Sequence, residues 1–296
     1  MTTLTVLERV TRNAGLGLRF WDIATGSQSV DGLQVEIFRK ANPNARTVAN
    51  VNRSGIYVGH ALPGLRGFEF LDEDPDALWL TATKPYRIEV SDPEGRFLPM
   101  AFDADLPARG VFIRRAPWFS PPEAVVLPLT AGSPPQMMLE HVPLFSAPSR
   151  PVPEPLAVVY AQLRESGSAR NLPWCLLGVS TDGITRGLGL SDDQGRVAVM
   201  FPYPEPQRVG LASPPQLRND FGWDVELAAY GAAASPPQAP VPFADLAEVL
   251  AALSTPRAVV ESIASSAPPT RLAYRRPLVA RTAGTAGADA SYLFVS

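Results

Sequence analysis

The chain has 296 residues, of which 46% are hydrophobic and 19% charged, so it can form packed cores and carries too little charge to stay unfolded. A net charge of −3, without a run of Lys and Arg, argues against a nucleic-acid-binding face. The 32 prolines are spread along the chain and disfavour long helices. We therefore expect a globular all-β protein, and its length fits two domains.

The sequence also predicts a cellular compartment. Met1 to Val10 lacks the basic start and the apolar run of a signal peptide. No apolar stretch reaches the roughly 18 residues of a membrane-spanning helix. The single cysteine, Cys175, excludes an internal disulfide. These features predict cytoplasmic synthesis and no membrane span.

Alternating apolar and polar residues predict strands in the first part of the chain. A strand over Leu16 to Ile23 and a strand over Gly32 to Phe38 form a hairpin-like opening. Tyr86 to Val90 is a further predicted strand, followed by a tight turn at Asp92 to Gly95. We assign residues 1–118 to a first β-sandwich domain. Its predicted core residues are Trp21, Ile37, Tyr57 and Ile88.

The proline-rich sequence of residues 119–155 predicts a stiff, extended connection. Strand-like runs return in residues 156–282, which we assign to a second β-sandwich domain. Its predicted core includes Leu177, Val179 and Val199. The predicted strands are Leu156 to Leu163, Cys175 to Val179, Thr185 to Leu190 and Val197 to Phe201.

A short sequence recurs in both halves. Ser91 to Arg96 and Ser191 to Arg196 share the pattern Ser-Asp-X-X-Gly-Arg, and Met100 and Met200 follow at the same spacing. One interpretation is that both domains use the same tight turn to enter an apolar strand. The other is coincidence, because Asp-X-X-Gly turns are common in β proteins.

The last part of the chain contains a predicted helix and a tail. Apolar residues fall along one face from Phe243 to Leu253, and Pro256 lies beyond the end. We expect this short helix to pack at the edge of the second domain. The tail, residues 283–296, ends with the apolar stretch Tyr292 to Val295, which should dock on this chain or on a neighbouring one.

Residues suited to catalysis are scarce. The only histidines, His60 and His141, lack metal-ligand spacing, and Cys175 lies in an apolar strand-like run. Neither a glycine-rich phosphate loop nor a nucleophile elbow occurs. We therefore predict that the protein is not an enzyme and has no catalytic, cofactor-binding or metal-binding residues.

Two features leave a binding role open. The acidic stretch Leu71 to Asp76 offers oxygen ligands for calcium, although a solvated loop is the simpler interpretation. The tryptophans could form a sugar-binding platform, but such residues more often lie in cores and interfaces. They are Trp21, Trp79, Trp118, Trp174 and Trp223.

Several segments of the chain resemble accessory proteins of contractile injection systems, the phage-tail-like particles of bacteria. These segments run from the first predicted domain into the second. They are Leu18 to Gly26, Asn52 to Tyr57, Leu62 to Arg66, Gly95 to Pro99, Pro143 to Pro148 and Gly195 to Pro206.

The resemblance implies a structural subunit of the cap or the baseplate, with Ig-like or carboxypeptidase regulatory-like sandwiches that carry no catalytic residues. Its partners would be tail, sheath, cap or baseplate proteins, and copies of the chain would form a ring. We expect residues 117–155 and the tail to supply the contacts, because a stiff chain loses little entropy on docking. The alternative is a carbohydrate- or surface-binding β-sandwich module, which would use exposed aromatic side chains.

Overall fold

The computed structural model describes residues 12–70, 82–108, 141–168, 170–205, 222–231, 242–263 and 270–296. Strands dominate these residues and the helices are short, which confirms the predicted all-β class. Among the described residues, no helix has the length and apolar character needed to cross a membrane.

The first half of the chain is built from short strands and a one-turn helix. They are β1 (Leu16–Leu18), β2 (Phe20–Asp22), β3 (Ser27–Ser29), β4 (Gln34–Arg39), β5 (Asn42–Val48), β6 (Asn50–Val51), β7 (Tyr57–Gly59), α1 (Arg66–Glu69), β8 (Lys84–Ser91), β9 (Met100–Leu106) and β10 (Val142–Leu144). With β17 (Ala244–Asp245) from later in the chain, they form a five-stranded sheet of order β17-β9-β8-β4-β5. Two three-stranded sheets have the orders β1-β7-β6 and β10-β2-β3.

The first hydrophobic core lies between these sheets. Ile37 on β4 and Ile88 on β8 are fully buried and directly paired across the two strands. Alternation along each strand places every second side chain on this inner face. Tyr57 is also buried here, with its ring 5.2 Å from that of Phe20 in an edge-to-face contact. The predictions for Ile37, Tyr57 and Ile88 are thus confirmed.

The prediction that Trp21 belongs to this core is wrong. In β2 its neighbours Phe20 and Asp22 are buried, so Trp21 lies on the other side of the strand. There it is half-buried, and its ring centroid lies 4.8 Å from that of His141. A three-residue strand gives too short an alternation to identify its inner face from sequence.

The second half of the chain forms a sandwich of a five-stranded and a four-stranded sheet. Its further strands are β11 (Leu156–Glu165), β12 (Leu176–Thr181), β13 (Ile184–Leu190), β14 (Arg196–Pro202), β15 (Gly222–Asp224), β16 (Glu226–Tyr230), β18 (Pro256–Arg257), β19 (Val259–Val260), β20 (Arg271–Ala273), β21 (Leu278–Val279) and β22 (Leu293–Val295). The sheets have the orders β14-β11-β22-β19 and β13-β12-β16-β18. β21 also pairs with β11, and β15 pairs with β20. Leu177, Val179 and Val199 are buried between the sheets, as predicted.

The sheet of order β13-β12-β16-β18 is covered on both faces. Leu177 and Val179 face the second core, whereas Leu176 and Leu190 join the first. Burial on both faces explains why β12 begins with an unbroken apolar run, Leu176 to Val179, without polar alternation. The two halves therefore share this sheet as a common wall. The proposed domain limits at 118 and 155 stay predictions, because residues 109–140 lie outside the described part.

The predicted C-terminal helix exists but packs in a different place. Helix α2 (Leu246–Ala251) begins after Asp245, whose carboxylate accepts a 3.0 Å hydrogen bond from the N–H of Ala247, and a 3-10 turn (Ala252–Ser254) follows. Leu246 and Val249 are buried in the first core rather than at the edge of the second domain. The reason is the preceding strand, since Ala244 pairs in parallel with Met100 on β9 and adds β17 to the first sheet.

The C-terminal tail belongs to the chain's own second core. β22 lies between β11 and β19, and its Leu293 and Val295 are buried. The expectation that Tyr292 to Val295 reaches a neighbouring subunit is therefore wrong, because these residues already fill a place within a sheet.

The described end of the proline-rich connection is also packed against this chain. β10 runs parallel to β2, with Val142 opposite Phe20 and Leu144 opposite Asp22. Both Val142 and Leu144 are buried in the first core, so this part is a structural strand rather than a free contact arm. Residues 117–140 lie outside the described part, and their predicted contact role stays a prediction.

The recurring sequence forms the same turn twice. Asp92 accepts hydrogen bonds from the backbone N–H of Glu94 and from Arg96 Nε, at 3.1 and 3.0 Å. Asp192 accepts the equivalent bonds from Gln194 and Arg196, at 2.9 and 2.8 Å. Each turn precedes an apolar strand, so the predicted turn into an apolar strand is confirmed at both positions.

Candidate functional site

A surface groove of about 450 Å³ lies where the chain passes from the first half to the second. Residues 152–156, just before β11, line one part of it. Tyr160 on β11 and Tyr203 after β14 line another, and the turn between β20 and β21 contributes Tyr274, Arg275 and Pro277. The groove falls within the size range of ligand sites in proteins.

The tyrosines of the groove are anchored from the second core. Tyr203 lies 5.6 Å from the buried Trp223 and 5.0 Å from Tyr274, measured between ring centroids. The backbone N–H of Arg275 donates a 2.9 Å hydrogen bond to the Tyr203 hydroxyl. Since Trp223 is fixed in the core, these contacts hold the exposed ring of Tyr274 in place.

Short turns shape both sides of the groove. The N–H of Leu156 donates to the carbonyl of Pro153 at 2.8 Å, and the N–H of Arg276 donates to that of Ala273 at 3.2 Å. The turn at Tyr274 is tied to β11 because β21, which follows it, pairs with that strand. Prolines add stiffness, so little conformational entropy would be lost on binding. They are Pro153, Pro155 and Pro277.

Two charges and two hydroxyl groups at the groove are available to a ligand. Within the described part of the chain, Glu154 and Arg275 form no ion pair or side-chain hydrogen bond, and both side chains are exposed. The Arg275 guanidinium lies 5.5 Å from the centroid of the Tyr274 ring. The hydroxyls of Tyr160 and Tyr274 make no hydrogen bond to a described residue. The groove thus combines aromatic faces with hydrogen-bond donors and one charge of each sign.

The sequence did not single out these tyrosines. Tyr203 lies in the resembling segment Gly195 to Pro206, and Tyr274 lies between Ala273 and Arg275 in a stretch without strong periodicity. The available signal is tyrosine close to proline, at Tyr203-Pro204 and at Tyr274 three residues before Pro277. Only the fold brings these two positions together, because they are far apart in sequence.

The tryptophans considered as a sugar platform are dispersed. Trp174 packs against the first core, Trp223 is buried in the second, and Trp21 lies beside His141. Trp79, Trp118 and the acidic stretch Leu71 to Asp76 lie outside the described residues. In the part of the chain that the structure describes, no three His, Cys, Asp or Glu side chains form a group able to hold a metal ion.

His60 lies beside a carboxylate that is already occupied by other donors. Glu69 is buried, and its two oxygens accept the N–H of Ala61 at 3.1 and 3.0 Å and Arg12 Nε at 2.5 Å. Burial acts to raise the pKa of Glu69, but these hydrogen bonds outweigh it and the pKa lies below its usual value. His60 Nδ1 lies 3.5 Å from Glu69 Oε1. This arrangement holds a loop in place.

Cys175 is a core residue, as predicted. Its side chain is buried in the second core, and the thiol donates to the carbonyl of Tyr230 at 3.3 Å. Burial raises the pKa of the thiol to about 11. Cys175 is therefore protonated at neutral pH and is a poor nucleophile.

Comparisons with known proteins give no family. No protein-family model matches the chain, and no curated protein matches it. One solved structure with some similarity is that of a "putative adhesin" from Bacteroides ovatus ATCC 8483, which is 9% identical. The match covers 76% of this chain and 83% of that one, with a TM-score of 0.18. A TM-score this low supports no inference about fold or function.

Proposed function

We propose that this protein is a non-enzymatic structural subunit of a contractile injection system, which binds neighbouring cap or baseplate proteins. The proposal is supported by the positions in the fold of the segments that resemble injection-system proteins. Strand β2 lies in the resembling segment Leu18 to Gly26, and strand β10 overlaps the resembling segment Pro143 to Pro148. These two strands pair with each other. The ring of Phe20 contacts Tyr57, from the resembling segment Asn52 to Tyr57.

The other segments of the first half join the same framework. Phe97 forms a β-bridge with Ser146, and the N–H of Ala147 donates to the carbonyl of Arg96 at 2.9 Å. The N–H of Leu65 donates to the carbonyl of Leu62, and both leucines are buried in the first core. The similarity to injection-system proteins therefore concerns residues that determine this fold. This supports a common architecture and, with it, the assembly role.

The carbohydrate-binding alternative has less support. The tryptophans do not form its aromatic platform, because those in the described part lie in three separate places. The aromatic side chains that lie together are the groove tyrosines, of which only Tyr274 is exposed. Cys175 is protonated and buried, which supports a role without nucleophilic catalysis by its thiol. A scaffold role agrees better with a chain whose described strands are tied into two cores that share one sheet.

Co-purification from the native host tests this proposal. An affinity tag would be added to the chromosomal copy, and the particle fraction would be collected by ultracentrifugation and analysed by mass spectrometry. We expect the chain to sediment with sheath, tube and baseplate proteins, and a tagged cytosolic enzyme of similar size to stay in the supernatant. The proposal is wrong if the chain stays in the low-mass fraction, and retention on glycan columns would then favour the alternative.

A further inference from the structure

A four-residue sequence recurs in the chain outside the described residues. Ser-Pro-Pro-Gln occurs at residues 133–136, 213–216 and 235–238, and Ser-Pro-Pro-Glu occurs at residues 120–123. Proline content alone does not explain the recurrence, because four of the five Pro-Pro pairs in the chain follow Ser and precede Gln or Glu, and only Pro268-Pro269 lies between Ala267 and Thr270. All four copies therefore have the same pattern of side chains: a hydroxyl, two proline rings and a side-chain oxygen acceptor.

We propose that the groove formed by Tyr160, Tyr203 and Tyr274 binds a Ser-Pro-Pro-Gln segment of a second copy of this chain. This inference rests on the proposed function, in which copies of the chain assemble with one another. It adds the site through which they would bind.

The apolar part of the groove fits the prolines. A Pro-Pro pair favours the extended polyproline II conformation, which pays little entropy on binding and docks on aromatic-lined grooves. The Tyr274 ring is 40% exposed and is held by Tyr203, so it offers a fixed face to a proline ring. Tyr160 is half-buried and contributes a second ring to the lining.

The hydroxyl groups fit the backbone of such a ligand. Polyproline II has no internal hydrogen bonds, so its carbonyls need donors from outside. The hydroxyls of Tyr160 and Tyr274 are without a described partner and can donate. Tyr203 already accepts the N–H of Arg275 and keeps its own proton to donate.

The two charges match the chemistry of the first and last positions of the recurring sequence. Arg275 is a cation at one part of the groove lining, and the last position of every copy carries a side-chain oxygen that can accept from a guanidinium. Glu154 is an anion at another part, and the first position always carries a hydroxyl that can donate to a carboxylate. This pairing explains why Gln and Glu are interchangeable at the last position while the Ser and both prolines are kept.

The number of copies favours binding between chains. Each chain carries four segments for this groove, so segments beyond the one that a groove can hold are available to other chains. Several weak contacts of this kind give a stable assembly, because each contact raises the effective concentration of the remaining segments near the remaining grooves. If each groove bound a segment of its own chain, the protein would not self-associate. A measurement of self-association therefore distinguishes the two cases.

The test uses two complementary variants of the full chain. The first, Tyr274→Ala, removes the groove's exposed ring and keeps all four segments. The second replaces both prolines of every Ser-Pro-Pro segment by Ala and keeps the groove. Sedimentation velocity at high protein concentration should show self-association of the wild type and loss of it in each variant alone. Mixing the two variants should restore a complex, because one supplies the segments and the other the groove.

A peptide measurement gives the affinity. A labelled synthetic peptide of residues 210–219 should bind the segment-free variant, and Tyr274→Ala added to that variant should weaken binding at least about tenfold. The control peptide has Ala at Pro214 and Pro215 and should not bind. Arg275→Asn provides a second groove variant, since Asn tolerates the positive φ of 58° at that position, and it should weaken binding several-fold.

The outcomes separate this inference from the proposed function. Equal self-association of the wild type and both variants would overturn the groove contact, as would a mixture of variants that stays monomeric. If the chain still co-purified with the particle in that case, the proposed function would stand and only its contact site would be wrong. If the chain failed to sediment with the particle but mixing the two variants still restored a complex, the injection-system role would be wrong and the groove contact would stand.

Discussion

The carboxylate of Asp22 accepts hydrogen bonds from both terminal nitrogens of Arg150, at 3.1 and 2.7 Å. The two residues are 128 positions apart, and both side chains are buried. Arg150 also donates to Ser146 at 2.8 Å, and its guanidinium lies 4.8 Å from the centroid of the Phe97 ring. This pair joins the hairpin of β2 and β3 to the chain segment that leads into the second half.

Breaking this pair should destabilise the fold strongly. Asp22→Asn leaves a buried guanidinium without its anion, and we expect it to lower the free energy of unfolding by about 3–5 kcal/mol in denaturant titrations. The exposed pair of Lys40 and Asp103 is the control, where Lys40→Gln should cost less than about 1 kcal/mol, since Asp103 keeps its contact with Arg87. Equal small losses for both variants would show that Asp22 and Arg150 are not coupled in solution.

Acid should weaken the fold partly through Asp92. Burial acts to raise the pKa of this carboxyl, but the hydrogen bonds from the Arg96 side chain and the backbone N–H groups of Glu94 and Arg96 outweigh it, so the pKa lies below the ordinary 3.8. A carboxyl of lowered pKa stabilises the fold above its unfolded pKa, and the contribution is lost as pH falls through the folded pKa. Asp92→Asn should therefore reduce stability at about pH 7, and its effect should shrink progressively as the pH falls below 3.8, measured by urea unfolding at a series of pH values. A pH-independent effect of the substitution would contradict this account.

Cys175 should report on unfolding. With a pKa raised to about 11 by burial, its thiol should react slowly with a disulfide reagent near pH 8 in the folded chain and rapidly in denaturant. Because it is the single cysteine, one absorbance trace measures the fraction of open chain. Rapid reaction of the native protein would show that the contact with Tyr230 opens readily.

Truncating a buried side chain of the C-terminal strand should destabilise the second core. Leu293 is 1% exposed in β22, and Leu293→Ala should cost about 2–5 kcal/mol because it leaves a cavity between the sheets. Val279 is 61% exposed, so Val279→Ala should change stability by no more than about 0.5 kcal/mol. Thermal unfolding checks both, and an unchanged melting temperature for Leu293→Ala would restore the idea of a free tail.

The sequence predicts local features of this fold better than long-range ones. Ile37, Ile88 and Val199 could be assigned to cores because alternation along a strand identifies its inner face. The position of α2 could not, since it depends on Ala244 pairing with Met100, far away in sequence. The same holds for the groove, where Tyr203 and Tyr274 meet only because β21 pairs with β11. Periodicity describes one element at a time and carries no information about which elements become neighbours.

The two equivalent turns should respond differently to the same substitution. Gly95 and Gly195 both have positive φ, 67° and 77°, so alanine at either position should cost about 1–2 kcal/mol through backbone strain. A Cβ on Gly95 would meet nothing within 4 Å, whereas a Cβ on Gly195 would lie 2.7 Å from the carbonyl oxygen of Leu163. That carbonyl belongs to β11 and already accepts the N–H of Leu172 at 3.0 Å, so it cannot move away without disturbing the second core.

Gly195→Ala should therefore lower the free energy of unfolding by about 1–3 kcal/mol more than Gly95→Ala, because the added methyl group is forced against backbone. Gly95→Ala is the matched control, since it shares the turn, the positive φ and the Asp-to-Arg contacts but lacks the close neighbour. Denaturant unfolding of the two variants beside the wild type gives both differences directly. Equal losses would show that strain at positive φ is the whole cost and that β11 yields to the added methyl group.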